Sequence, residues 1–116
     1  MKDDAFRWSL LFDYYGDLLT QRQRVCFDLY YNQDLSLGEI AQEAGISRQG
    51  VHDTVARAQA ALQTMEDKTG LVRRDLACRR ALEKIRAAAL ALSEMKDEAV
   101  STLAGEILRA VDEVKE

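Results

Sequence analysis

Proline is absent from this chain, histidine occurs once, and the two cysteines stand far apart in sequence. Without proline, nothing in the sequence forces a helix to kink or stop. His52 has neither Cys26 nor Cys78 at a ligand-like spacing, and there is no CxxC, so neither a structural metal site nor a disulfide framework is expected. No glycine-rich phosphate loop and no G-x-S-x-G element occurs. The acid pairs Asp3–Asp4 and Asp97–Glu98 read as helix-end charges, which leaves no catalytic residues and no cofactor to expect. No apolar run approaches the length that spanning a bilayer requires. The N-terminal MKDDAFRW lacks the apolar core of a secretory signal, so the expectation is a cytoplasmic protein with no membrane partner.

What is present favours helices. Apolar residues make up 47% of the 116 residues, enough for a core, and 31% are charged. Ala, Leu, Glu, Arg and Gln are common, all good helix formers, so the fold class expected is all-α. The length suits a compact head, residues 1–70, with a helical extension over 71–116 that forms an antiparallel hairpin or a dimerisation arm. The net charge is −4, but it is unevenly spread. Seven bases (Lys68, Arg73, Arg74, Arg79, Arg80, Lys84, Arg86) face two acids between Lys68 and Arg86, while seven acids face three bases from Glu94 onward. A basic waist precedes an acidic tail.

The densest local signals lie between Leu35 and Leu62, LSLGEIAQEAGISRQGVHDTVARAQAAL. Ser36 and Glu39 have the spacing of a capping box, in which each side chain satisfies the other's free amide. Leu37, Ile40, Ala41 and Ala44 then share one helical face. Gly45 stands where a left-handed helix ending is needed, Ile46 fits a buried turn, and Ser47 is a second N-cap. Val51, Val55, Ala58 and Leu62 form the apolar stripe of the next helix, which Met65 extends to about Lys68, with Gly70 as its exit. This is a helix-turn-helix.

Upstream, Trp8, Leu11, Phe12 and Tyr15 recur at helical spacing and predict a helix from about Asp4 to Tyr15, with Asp3 and Asp4 at its positive end. Thr20 and Gln23 form another capping box and open a helix from about Gln21 to Tyr31, with Val25, Cys26, Leu29 and Tyr30 inward. Cys26 then serves as a small buried hydrophobe. Downstream, Leu76, Leu82, Ile85, Ala89 and Leu92 mark one stripe and Val100, Leu103, Ile107, Val111 and Val114 another. The segment Ser93–Asp97 disturbs the rhythm, which predicts two antiparallel helices rather than one long one. The spacing of both stripes is that of a coiled-coil seam.

LLTQRQRVCFDLYYNQDLSLGEIAQEAGISRQGVHDTVARAQAAL resembles region 4 of bacterial sigma factors, in which a capped helix precedes a helix-turn-helix that reads promoter DNA. FDYYGDLLTQRQR, LYYNQDLSLGEIA and GISRQGVHDTV are closer still to the YlxM family of small helix-turn-helix proteins. Genes of that family commonly neighbour those of the signal recognition particle (SRP) GTPase in Gram-positive bacteria. The resemblance covers Leu10 to Leu71 and implies a regulatory part in the SRP pathway. Gly50 departs from the pattern, where such families often carry a helix former, and reads as drift.

If the helix-turn-helix binds duplex DNA, the N-terminal residues of its second helix face the base edges. Arg48, Gln49, His52 and Asp53 lie there, Arg57 would reach the backbone, and Arg22 and Arg24 on the preceding helix would add phosphate contacts. The competing reading makes these residues a solvated polar face. Between Ser36 and Gln63 two arginines meet three acids, so such binding would be weak and shallowly salt-dependent. A protein adaptor, or a module that binds SRP RNA through the basic waist or binds the SRP GTPase, is the alternative. Tyr14, Tyr15, Tyr30 and Tyr31, with the stripe after Val100, exceed what so small a monomer readily covers, which predicts a homodimer.

Overall fold

The computed structural model describes residues 4–114, and every regular element among them is helical. The chain divides into two compact units, Met1–Val72 and Arg73–Glu116.

The first unit begins with α1 (Ala5–Tyr15), which a short 3₁₀ turn at Gly16–Leu18 closes. Asp3, expected at the start of α1, lies outside the described residues. Thr20 opens α2 (Gln21–Phe27) by the expected capping box: its hydroxyl accepts from the Gln23 amide, and the Gln23 side chain accepts from the Thr20 amide. Where one helix to Tyr31 was expected, α2 passes at Asp28 into a π turn, Asp28–Asn32, closed by the Gln33 amide on the Asp28 carbonyl. Such a turn holds one more residue than an α turn. Cys26, Phe27, Tyr30 and Tyr31 face inward, while Val25, expected on the inward face, is exposed.

Both capping signals of the helix-turn-helix appear as read. Ser36 and Glu39 form the capping box of α3 (Leu37–Ala44). Gly45 ends that helix at φ +69°, a left-handed conformation that a Cβ would strain. Ser47 caps α4 (Arg48–Thr69) by accepting from the Gly50 amide at 2.9 Å, and Gly70 at φ +63° ends it.

Ile40, Val51, Val55, Ala58 and Leu62 lock α3 and α4 into a core shared with Leu11 and Phe27. The rings of Phe12 and Phe27 stack at 5.1 Å, and Tyr31 lies 4.7 Å from Phe27. The phenols of Tyr31 and Tyr15 both find partners. Tyr31 accepts from the Gln59 amide, and Tyr15 donates to Glu66 Oε1 at 2.6 Å. The same Glu66 oxygen accepts the Val72 amide at 3.1 Å, so one carboxylate pins α1 and the start of the next helix to α4. Burying three of the four tyrosines removes them from the surface expected to drive dimerisation: Tyr15, Tyr30 and Tyr31 belong to the core of this unit.

The second unit is a helical hairpin. It holds most of α5 (Leu71–Ser93) and all of α6 (Glu98–Val114), separated by the break expected near Ser93–Asp97. Asp97 caps α6 by accepting from the Val100 amide at 3.2 Å. Arg86 pairs with Asp112, and Ser101 reaches the Ser93 carbonyl, so the two helices run antiparallel. Ala89, Ala104 and Val111 are buried between them, with Leu82 and Leu108 half-buried. Ile85, Leu92, Leu103, Ile107 and Val114, expected inward, are exposed. Two paired helices cover only one line of contact, and alanine lets them approach closely along that line.

Candidate nucleic-acid interface

Three local devices aim the N-terminal half of α4. The Ser47 cap fixes where the helix starts, Gly45 fixes the turn, and Val51 and Val55 anchor the opposite face in the core. Arg48, Gln49, His52, Asp53 and Arg57 are all left exposed, as the apolar stripe requires. From Arg48 to Arg57 the helix rises about 13 Å, comparable to the width of the DNA major groove.

Gly50 has a local reason that the sequence reading missed. A Cβ at this position would stand 3.1 Å from the Ser47 hydroxyl and 3.6 Å from Ile46 Cδ1. The missing side chain leaves the cap undisturbed. The Gly50 carbonyl also accepts from the Thr54 hydroxyl at 2.8 Å, within this same first stretch of helix.

Asp53 organises its neighbours. Its Oδ1 accepts from Gln49 Nε2 at 3.0 Å and lies 3.6 Å from His52 Nδ1. Gln49, His52 and Asp53 thus form one exposed polar cluster, with Arg48 and Arg57 on either side of it along the chain. The cluster has the donors and acceptors to read base edges, while the Asp53 carboxylate opposes the approach of phosphate.

The two arginines of α2 are placed differently. Arg24 is engaged by Asp17 at 3.3 Å, in the middle of the 3₁₀ turn that follows α1. Arg22 lies near enough to Cys26 to oppose the rise that burial imposes on that thiol's pKa. Both guanidinium groups are exposed, and neither belongs to the α4 cluster.

The perturbed titrating groups sit away from this face. Burial raises the Tyr15 phenol, and the hydrogen bond to Glu66 raises it further; burial pushes Tyr31 up to about 12. These are structural phenols of the core. Among the described residues no group of three or more His, Cys, Asp or Glu side chains is arranged to hold a metal ion. No helix among them is long and apolar enough to cross a membrane.

The sequence pattern of the family described as "Putative helix-turn-helix protein, YlxM / p13 like" matches residues 2–101. Some curated relatives match nearly the whole chain. A UPF0122 protein of Thermoanaerobacter sp. (strain X514) is 42% identical over 115 residues, which is 98% of each chain. A UPF0122 protein of Acetivibrio thermocellus is 43% identical over 98% of this chain and 92% of its own. One from Desulforamulus reducens reaches 56% identity over 64 residues, 55% of each chain. An all-α helix-turn-helix with this match belongs to the UPF0122 family of YlxM/p13-like helix-turn-helix proteins.

Proposed function

We propose that this chain is a non-enzymatic regulator whose helix-turn-helix binds duplex DNA through the N-terminal half of α4. The observation that carries the reading is the exposed, capped and core-anchored polar face of Arg48, Gln49, His52, Asp53 and Arg57. In this reading Gln49 reads adenine, Arg48 reads guanine or a phosphate, and His52 and Asp53 set the edge of the cluster. Arg57, Arg22 and Arg24 supply phosphate contacts. The YlxM resemblance supports a regulatory part in the SRP pathway within this reading.

Charge sets the affinity range. Two arginines and three acids between Ser36 and Gln63 favour weak binding with a shallow salt dependence. That same local balance favours a second reading, in which the helix-turn-helix grips a protein such as the SRP GTPase as an adaptor and ignores DNA, with SRP RNA left to the basic residues between Lys68 and Arg86. Fluorescence titration of the labelled chain with promoter-length DNA, SRP RNA and the GTPase, each at two salt concentrations, separates the readings. The DNA reading expects binding that weakens with salt. Arg48→Ala should lower the slope by about one, and Gln49→Ala should relax base preference without unfolding the chain. Absence of DNA and RNA binding below about 100 μM sinks the nucleic-acid reading.

A further inference from the structure

We propose that the α5–α6 hairpin is half of a four-helix bundle, completed by the hairpin of a second copy of this chain.

The hairpin carries a second apolar seam that its own fold leaves open. On α5, Cys78, Ala81, Ile85, Ala88 and Leu92 follow one another at alternating steps of three and four, and all five are exposed. On α6, Val100, Leu103, Ile107, Ala110 and Val114 repeat the same steps, with only Val100 half-buried. Alternating three-four spacing is the signature of a seam that packs against other helices. At 3.6 residues per turn, each seam lies about a quarter turn from its helix's inward face, in the same rotational sense. Because α5 and α6 run antiparallel, equal senses place both seams on one flank of the hairpin. Cys78 and Val114, one from each seam, accordingly line a single groove.

Two observations select a second copy as the occupant. First, the hairpin is self-complementary in charge. From Arg73 to Ser93, α5 holds six bases and two acids, while α6 holds four acids and one base. A two-fold axis running along the helices lays α5 over the α6 of the other copy, antiparallel and opposite in sign. An axis across the helices would instead oppose like charges, which costs stability. Second, the seams complement each other in size. Small Ala81 and Ala88 alternate with Ile85 and Leu92 on α5, and Ala110 stands among Leu103, Ile107 and Val114 on α6, so each row offers both knobs and holes to the other. The few side chains buried within one hairpin (Ala89, Ala104 and Val111) give little to hold it together alone. This assembly does not depend on DNA binding; it gives each particle two copies of α4.

Sedimentation equilibrium of the full chain between 1 and 50 μM (concentrations of the order at which specific dimers form) tests the bundle. The expected mass is twice the 13.1 kDa of one chain. Ile85→Glu puts an acid against the acidic α6 of the partner, and Ile107→Lys puts a base against its basic α5. Both positions are exposed in the single chain, so far-UV dichroism should keep its helical signal. Each variant should weaken association about 100-fold or more, since an unpaired charge is buried in each half. Leu18→Glu, on an exposed residue of the first unit, should leave the dimer intact. Cys78, exposed in one chain, should react with Ellman's reagent more slowly as concentration rises, while Cys26 stays unreactive throughout. A monomer across the whole range overturns the proposal, and so does a dimer that survives both seam variants. A Cys78 reactivity independent of concentration also overturns it.

Discussion

The two units of this chain use similar residues to opposite ends. In the first, Phe27, Ile40, Val51, Val55 and Leu62 are wholly enclosed, because α1 to α4 surround a common centre. In the second, Ile85, Leu92, Leu103 and Ile107 are exposed while Ala89, Ala104 and Val111 occupy the interior. The difference lies in the number of helices, not in hydrophobicity. Four helices enclose a space, whereas two share only a line. The first unit encloses its own core, whereas the second leaves an apolar flank open.

Four measurements bear on that contrast. The largest effect should come from Phe27→Ala, which removes the ring stacked between Phe12 and Tyr31 and should lower unfolding free energy by about 3–5 kcal/mol in urea titration. Val111→Ala in the hairpin should cost under about 1.5 kcal/mol. Equal costs would erase the distinction between the units.

Amide hydrogen exchange should draw the same boundary. Amides of Val55 to Leu62 should exchange only through global unfolding. In the Ile85→Glu variant, those of α6 should exchange about 100-fold faster or more. Uniform protection in that variant would show a hairpin stable by itself.

Any alkaline loss of stability carried by tyrosine belongs to the first unit, since Arg73 to Glu116 contains no tyrosine. Burial favours the neutral Tyr31 phenol and raises its pKa from 10.0 to about 12. The stability linked to that shift is intact below pH 10 and is lost as pH rises from 10 towards 12. Thermal melts of the wild type should fall across that window, and Tyr31→Phe should flatten the fall. An identical fall in both would assign the loss to other groups.

The smallest effects concern caps. Ser47→Ala should cost about 1 kcal/mol of unfolding free energy, because the Gly50 amide loses its acceptor. Asp97→Ala should instead leave the first unit's melting unchanged and speed exchange at the start of α6. A shared response would mean that the units unfold together.

The sequence by itself determined where helices start and stop. Ser36, Ser47, Thr20, Gly45 and Gly70 act on backbone groups within one turn of themselves, and such local chemistry is legible without a fold. It also determined the exposed face of Arg48, Gln49, His52, Asp53 and Arg57, because the buried stripe of α4 leaves those positions no other side. Tertiary structure decided the rest. The π turn after Phe27 and the choice of Phe27 and Tyr31 over Val25 for the interior depend on what packs against α2, which sequence spacing leaves open. The link from Asp53 to Gln49 and His52, and the engagement of Arg24 by Asp17, depend on side-chain conformations that residue identity leaves open. In the hairpin each helix offered two apolar lines a quarter turn apart. Only the close approach permitted by Ala89 and Ala104 chose which would be inside.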